Sequence, residues 1–424
     1  MRAKQATVAL AVAILTTMAG APCAAVETGL TVDQLVELAI ESNPQVKGAR
    51  YRWNAAEHSI KQAYTPNDPV FTYTNSDSPR NPFGRGALRE YNVTEAFQFP
   101  GKALLQADLA KRNAEIARLT LQATIRDIRA ATETGYYQLV LDGALNAVDG
   151  ENVQNLNRVL KVTQVEYSGN KVTQTDFISS EFDLAAAQNL QLQYRTAVAN
   201  DETVLNQLLY RQPGAPLDVD RTLRLEPLHI QLQTLVDLAT QARQEILQAA
   251  LTQLNSDTAL SLARMEYLPD FTLAYQFDNY LVPTFAPKIG QTQDHVLAIG
   301  FNVPIFFWLK QKEDVERARV SLEAARADSS SVRSQTAAAV TSLYRTAQYA
   351  YETSLLYRDS LTPLARQDFE VALIAYQSGK IDFVTLAGAL KRRYDAQVGY
   401  LQAANQYLAG VVALQQAIGA PLPK

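Results

Sequence analysis

The residues that most often do chemistry are scarce in this chain and scattered where they occur. The histidines are His58, His229 and His295, the one cysteine is Cys23, and Met265 is the only methionine beyond residue 18. A soft-metal site needs such side chains clustered. No metal ligand set is read from the sequence, and no cofactor site. There is no Gly-x-Ser-x-Gly and no His-Glu-x-x-His, and Pro100-Gly101-Lys102 lacks the upstream glycine of a phosphate loop. Asp359, Asp368 and Glu370 suit a solvated helix face better than an acid/base pair. The expectation is a protein that is not an enzyme and has no catalytic residues.

What the side chains offer instead is a pair of alternating surfaces. Phe71 and Tyr73 fall on one side of a strand over 70–75, and Tyr91, Val93, Phe97 and Phe99 on one side of another over 89–99, with Glu95 among them. Phe271, Leu273, Tyr275 and Phe277 alternate with polar or small residues, as do Leu297, Ile299, Phe301 and Val303. Segments 76–88 and 281–293 read as exposed loops. Strands of this length cross a bilayer when tilted, with an apolar face for lipid and a polar face for a lumen. The aromatic exits Phe97-Gln98-Phe99-Pro100 and Phe306-Phe307-Trp308 sit where an interfacial girdle belongs. Alternation alone also fits half-buried hairpins on a soluble domain. Four strands cannot close a barrel of useful width, so the membrane reading requires several copies of the chain.

Long helices must position these strands. A helix is expected from Thr31 to Ala63, and longer ones from Lys102 to Tyr167 and from Lys310 to Tyr376, each about 100 Å long. Leu109, Ile116, Ala123, Ala130, Tyr137 and Ala144 form a heptad series; so do Val315, Leu322, Leu343, Ala350, Tyr357, Leu364 and Val371, with Ser329 and Thr336 intervening. Returning helices start near Thr173 and Asp382, making two coiled hairpins. Their turns correspond: Tyr167-Ser168-Gly169-Asn170-Lys171-Val172 matches Tyr376-Gln377-Ser378-Gly379-Lys380-Ile381. These are the distal tips. Asn170 facing Gly379, and Asp176 facing Thr385, read as divergence between them.

The N-terminus has Arg2 and Lys4, an apolar run from Val8 to Met18, then small residues to Ala25, the pattern of a secretory signal peptide over 1–25. A lipoprotein signal acylated at Cys23 is the rival reading, which Pro22 fits poorly. Net charge is only -4, without the basic excess that nucleic acid requires. No later stretch is apolar enough for a transmembrane helix. Leu35-Val36-Glu37-Leu38-Ala39 returns as Leu235-Val236-Asp237-Leu238-Ala239, and Gly214-Ala215-Pro216-Leu217 returns as Gly419-Ala420-Pro421-Leu422. Residues 26–217 and 218–424 are therefore read as two repeats of one plan: helix, β-hairpin, coiled helical hairpin.

Duplicated halves, strand exits ending Phe99-Pro100 and Val303-Pro304, and the Tyr-x-x-Gly turn at Tyr376 and Gly379 together resemble the TolC-like outer-membrane efflux proteins. The resemblance implies an α+β membrane protein: a homotrimer with a twelve-stranded barrel, four strands per chain, above an α-helical tunnel reaching into the periplasm. It implies a passive duct in the cell outer membrane, joined to a periplasmic adaptor (membrane fusion) protein and an inner-membrane pump of the RND type, exporting drugs or metal cations. Phe99-Pro100-Gly101-Lys102 looks like the turn of the heavy-metal cation efflux branch. A type I protein secretion duct and a soluble periplasmic coiled-coil scaffold are the alternatives. Tyr376 and Asp176 match positions that hold the periplasmic mouth closed, but the latch's basic residue falls at Ile381 and its acidic ring at Thr385 and Gly388. Tyr167, Asn170, Lys171, Asp176, Tyr376, Gly379, Lys380 and Asp382 are the expected gate or adaptor contacts. Phe71, Tyr73, Tyr91, Phe97, Phe99, Phe271, Tyr275, Phe301 and Trp308 are the expected membrane-strand aromatics.

Overall fold

The computed structural model describes residues 29–76, 88–282 and 290–422. The expected signal peptide, Cys23 and most of the two expected loops lie outside them. In chain order the elements are α1 (Val32–Ser42), α2 (Pro44–Tyr64), β1 (Val70–Ser76), β2 (Leu88–Phe97), α3 (Lys102–Ser168), α4 (Gln174–Leu208), α5 (Leu232–Ala242), α6 (Gln244–Met265), β3 (Phe271–Val282), β4 (Gly290–Phe301), α7 (Gln311–Leu356), α8 (Thr362–Gln377) and α9 (Phe383–Ile418).

The helix expected from Thr31 to Ala63 is two helices. Proline disfavours helical backbone at the residue before it, and Asn43, ahead of Pro44, turns out of the helix at ψ 124°. Its side chain then caps α2, accepting from the Gln45 amide at 2.8 Å. The second half breaks likewise at Arg243 (ψ 123°) without a proline. There the guanidinium holds the corner, donating to Glu245 and to the Ala417 carbonyl, both at 3.1 Å.

All four strands form one antiparallel sheet in the order β1-β2-β3-β4, leaving β1 and β4 as its edges. β2 and β4 end two residues before their expected limits, where the strand register stops at Phe271 and a single further backbone bond, from the Asn302 amide to the Asp270 carbonyl at 3.2 Å, follows. β3 and β4 instead run further at the other end, where pairing continues through Asn279 and Gln293. Phe99 and Trp308 thus lie outside the strands. At the joint, Lys102 is 2% exposed and its ammonium sits 2.9 Å from Asp270, which also accepts the Phe99 amide at 2.8 Å. This charge-assisted pair ties α3 to the root of β3.

α3 has 67 residues, about 100 Å at 1.5 Å per residue. Its most buried heptad is not the expected one but the series two residues earlier: Ala107, Ala114, Leu121, Ile128, then Asp142, Asp149, Leu156 and Thr163. Gly135 fills the gap, because a side chain there would meet Leu205 Cδ2 at 3.1 Å. Glycine, two aspartates and a threonine hid this series from an apolar pattern.

The helix expected from Lys310 to Tyr376 contains one wide turn, Tyr357–Leu361, with i→i+5 bonding. Pro363 follows at the start of α8, where it has no amide to donate. The extra residue shifts the seam: Leu364 and Val371 of the expected heptad are 62% and 61% exposed, while Phe369, Ala372 and Tyr376 turn inward. The wide turn pushes the Tyr357 ring against Gly399, where an added Cβ would lie 2.5 Å from two ring carbons. Gly399→Ala is expected to lose about 1–3 kcal/mol through overpacking, despite alanine's higher helix propensity. Thermal unfolding in detergent should show the loss, and its recovery in Gly399→Ala with Tyr357→Leu.

Candidate functional site

Three features stand out: the sheet's apolar face, the helical tips, and a row of buried acids between them. Register places Phe71, Val93, Tyr275 and Leu297 in one cross-strand row, and Tyr73, Tyr91, Phe277 and His295 in the next. Phe97, Phe271 and Phe301 form a row near the helical end. These share one face, and Phe71, Phe301 and Ile299 on it are 63–72% exposed. Tyr73 and Tyr91 pack at 5.1 Å between ring centroids, and Tyr91 and Phe277 at 5.9 Å. His295 shares its ring nitrogen with the Tyr275 hydroxyl at 2.7 Å, which satisfies a polar group on an apolar face. Thr72, Asn92, Gln276 and Asp294 alternate onto the opposite face. Of the two aromatics beyond the strands, Phe99 stacks on Phe271 at 6.2 Å, and Trp308 packs edge-on to Phe307 at 5.2 Å in the turn after β4.

At the tips, both helices end in the same left-handed turn. Asn170 (φ 56°) and Gly379 (φ 68°) occupy equivalent positions, and the following Lys171 and Lys380 amides donate back to Glu166 and Ala375 carbonyls, each at 2.9 Å. The entry caps are equivalent too, with their partners exchanged. Thr173 caps α4, its hydroxyl accepting from the Asp176 amide at 3.2 Å while the Asp176 carboxylate accepts from the Thr173 amide at 3.0 Å. In the second half Asp382 caps α9, accepting from the Thr385 amide at 2.8 Å, and bonding from the Thr385 hydroxyl and then this amide lowers its pKa. Asp176 against Thr385 is therefore half of a reciprocal exchange with Thr173 against Asp382, and the expected divergence of the two turns is corrected.

The tips do differ in their tyrosines. Tyr376 is 4% exposed, with its hydroxyl 3.4 Å from Thr163 on α3 and its ring edge-on to Phe383. Burial raises its pKa. Tyr167 is 39% exposed and lies flat on Phe177 at 5.6 Å. Lys171 reaches Glu166 at 3.1 Å, and Lys380 is exposed. Of the residues proposed for a latch, Asp176 and Asp382 are thus occupied as helix caps, and Tyr376 joins the two coiled hairpins.

The acids were not found by sequence reasoning, which looked for apolar heptads. Asp142 accepts from Gln138 at 3.1 Å, and Gln138 in turn accepts from Asn405 on α9 at 3.5 Å. Asp201 on α4 adjoins Asp142; burial and then the bond to that neighbouring carboxyl push its pKa up to about 7. Burial also raises Asp149, which is fully buried on the same face of α3. An acid whose pKa is raised by folding contributes stability in full below its unfolded value, near 4, and loses it as pH climbs to the folded value. Stability is therefore expected to fall between pH 4 and 7, and Asp201→Asn to flatten that slope, read as melting temperature against pH.

Among the described residues no three His, Cys, Asp or Glu side chains form a metal-ligand group, and no helix is long and apolar enough to cross a membrane. Residues 235–420 match the model of a family described as Outer membrane efflux protein. That match covers the second half of the chain and its last helices. It is 18% identical over 393 residues, 92% of its own length and 90% of the relative's, to the cobalt-zinc-cadmium resistance protein CzcC of Cupriavidus metallidurans. Its fold matches the outer-membrane channel OprN with a TM-score of 0.77 at 18% identity, covering 92% of this chain and 90% of that one. It also matches the open state of the Neisseria gonorrhoeae MtrE outer membrane channel, with a TM-score of 0.75 at 14% identity and coverage of 92% and 89%. These likenesses support an outer-membrane location with an extension into the periplasm. The fold neighbours OprN and MtrE are outer-membrane channels.

Proposed function

We propose that this chain is an outer membrane efflux protein and the exit duct of a tripartite efflux system. Three copies would join β4 of one chain to β1 of the next in a twelve-stranded barrel, and their helical hairpins would form the tunnel below. One observation carries this reading: a four-stranded sheet with two open edges and one exposed apolar face stands on helices about 100 Å long. Open edges are not tolerated in hydrocarbon, and closure with other copies removes them. The tips would meet a periplasmic adaptor and, through it, an inner-membrane pump.

Small solutes are the cargo, and the relative named for cobalt, zinc and cadmium resistance favours metal cations among them. A duct need not bind what it conducts, so specificity would reside in the pump. The test is reconstitution. Heat-modifiable trimers and ion conductance across planar bilayers are expected; a soluble monomer released with the periplasm would overturn the reading. Metal sensitivity after deletion, restored by this chain, separates metal from drug export.

A further inference from the structure

We infer that the turn between β4 and α7 is a lipid anchor that inserts into the periplasmic leaflet of the outer membrane and binds its anionic headgroups. The inference rests on the outer-membrane reading and adds a second lipid contact to it. The two sheet-to-helix joints differ. In the first half Phe97 is followed almost at once by α3, and Lys102 is buried beneath Asp270. In the second half the chain makes an additional turn before α7, and Ile305, Phe306, Phe307, Trp308 and Leu309 on it are all 49–64% exposed.

This patch is continuous with the apolar face of the sheet through Phe301, 63% exposed at the end of β4, and Val303, 62% exposed. It lies at the helical end of the sheet, hence at the periplasmic rim of the bilayer. Its rings support one another: Phe307 contacts Tyr267 at 6.4 Å and Trp308 at 5.2 Å. Amphipathic tryptophan favours the headgroup boundary. Directly after the apolar residues come Lys310 and Lys312, exposed and in no ion pair among the described residues. Cations beside exposed aromatics suit an anionic lipid surface. The next acids, Glu313 and Asp314, sit in the first turn of α7, where the helix N-terminus favours them and Asp314 pairs with Arg317 at 2.8 Å.

The chain has two tryptophans, Trp53 and Trp308, which makes the test direct. Full-length protein carrying Trp53→Phe is reconstituted in phosphatidylethanolamine and phosphatidylglycerol vesicles containing phospholipids spin-labelled near the headgroup or near the chain end. Trp308 emission is expected to be quenched several-fold more by the shallow label than by the deep one, and little by aqueous iodide. Quenching by iodide alone, or by neither agent because protein covers the ring, would overturn the inference. A control with Trp53→Phe, Trp308→Phe and Leu297→Trp reports the sheet's apolar face. If that probe is quenched by the deep label while Trp308 is not, the anchor fails and the outer-membrane reading stands; if neither is quenched, both fail.

Discussion

Gly419→Ala is expected to cost about 3 kcal/mol, and Gly214→Ala almost nothing, although both glycines begin the same repeated Gly-Ala-Pro-Leu segment. Gly419 closes α9 in the left-handed region at φ 80°, and a Cβ there would lie 2.8 Å from the Arg243 Cα and 3.3 Å from the Ala242 carbonyl oxygen. Backbone cannot yield as a flexible side chain does. Left-handed strain adds about 1–2 kcal/mol and overpacking about 1–3. Gly214 has ordinary φ and open space around it. The conformational counterpart of Gly419 is Tyr210, which closes α4 at φ 53° and is 70% exposed. Tyr210→Gly should accordingly stabilise the protein by about 1 kcal/mol. Melting temperatures in detergent would rank the three variants; equal losses for Gly419→Ala and Gly214→Ala would refute this account.

Tyr376→Ala is expected to release the distal tip, at a cost of about 3–5 kcal/mol for truncating a buried aromatic. Tyr376 packs with Phe383, Leu386 and Leu390, and it meets Thr163 across the two coiled hairpins. Removing the ring leaves a cavity where α3 and α8 must stay together for a mouth to stay shut. Conductance in planar bilayers should rise, whereas Tyr376→Phe, losing only one long hydrogen bond, should stay near the parent. Asp176→Ala removes one side of a capping box, worth about 1 kcal/mol, and should open the tip to a lesser extent. Unchanged conductance in both alanine variants would count against a gate at this end.

Much of the architecture was legible because it rests on period and order. Alternation located four strands, the absence of proline located α3, and the matched turns after Tyr167 and Tyr376 located both tips. The errors share a cause: residue type was read where backbone conformation decides. Asn170 and Gly379 differ in type yet adopt one left-handed turn, and Thr173 with Asp176 makes the same cap as Asp382 with Thr385. Conversely, Gly214 and Gly419 agree in type and differ in conformation. The buried series through Gly135, Asp142 and Asp149 was invisible because its polar members face groups from distant sequence, such as Asp201 on α4 beside Asp142. The wide turn at Tyr357 was not readable either, since Pro363 signals a break but not the added residue that shifts the seam.

The open edges of β1 and β4 have a genetic consequence on the closed-barrel reading. Each chain then finishes the backbone pairing of two neighbours, so insertion belongs to the set of chains and cannot be completed by one. Loss-of-function alleles should divide by location. Damage to the edge strands should poison assemblies that also contain normal chains and behave as dominant. Damage confined to folding of the separate chain, as at Gly419, should simply remove that chain from the pool and behave as recessive.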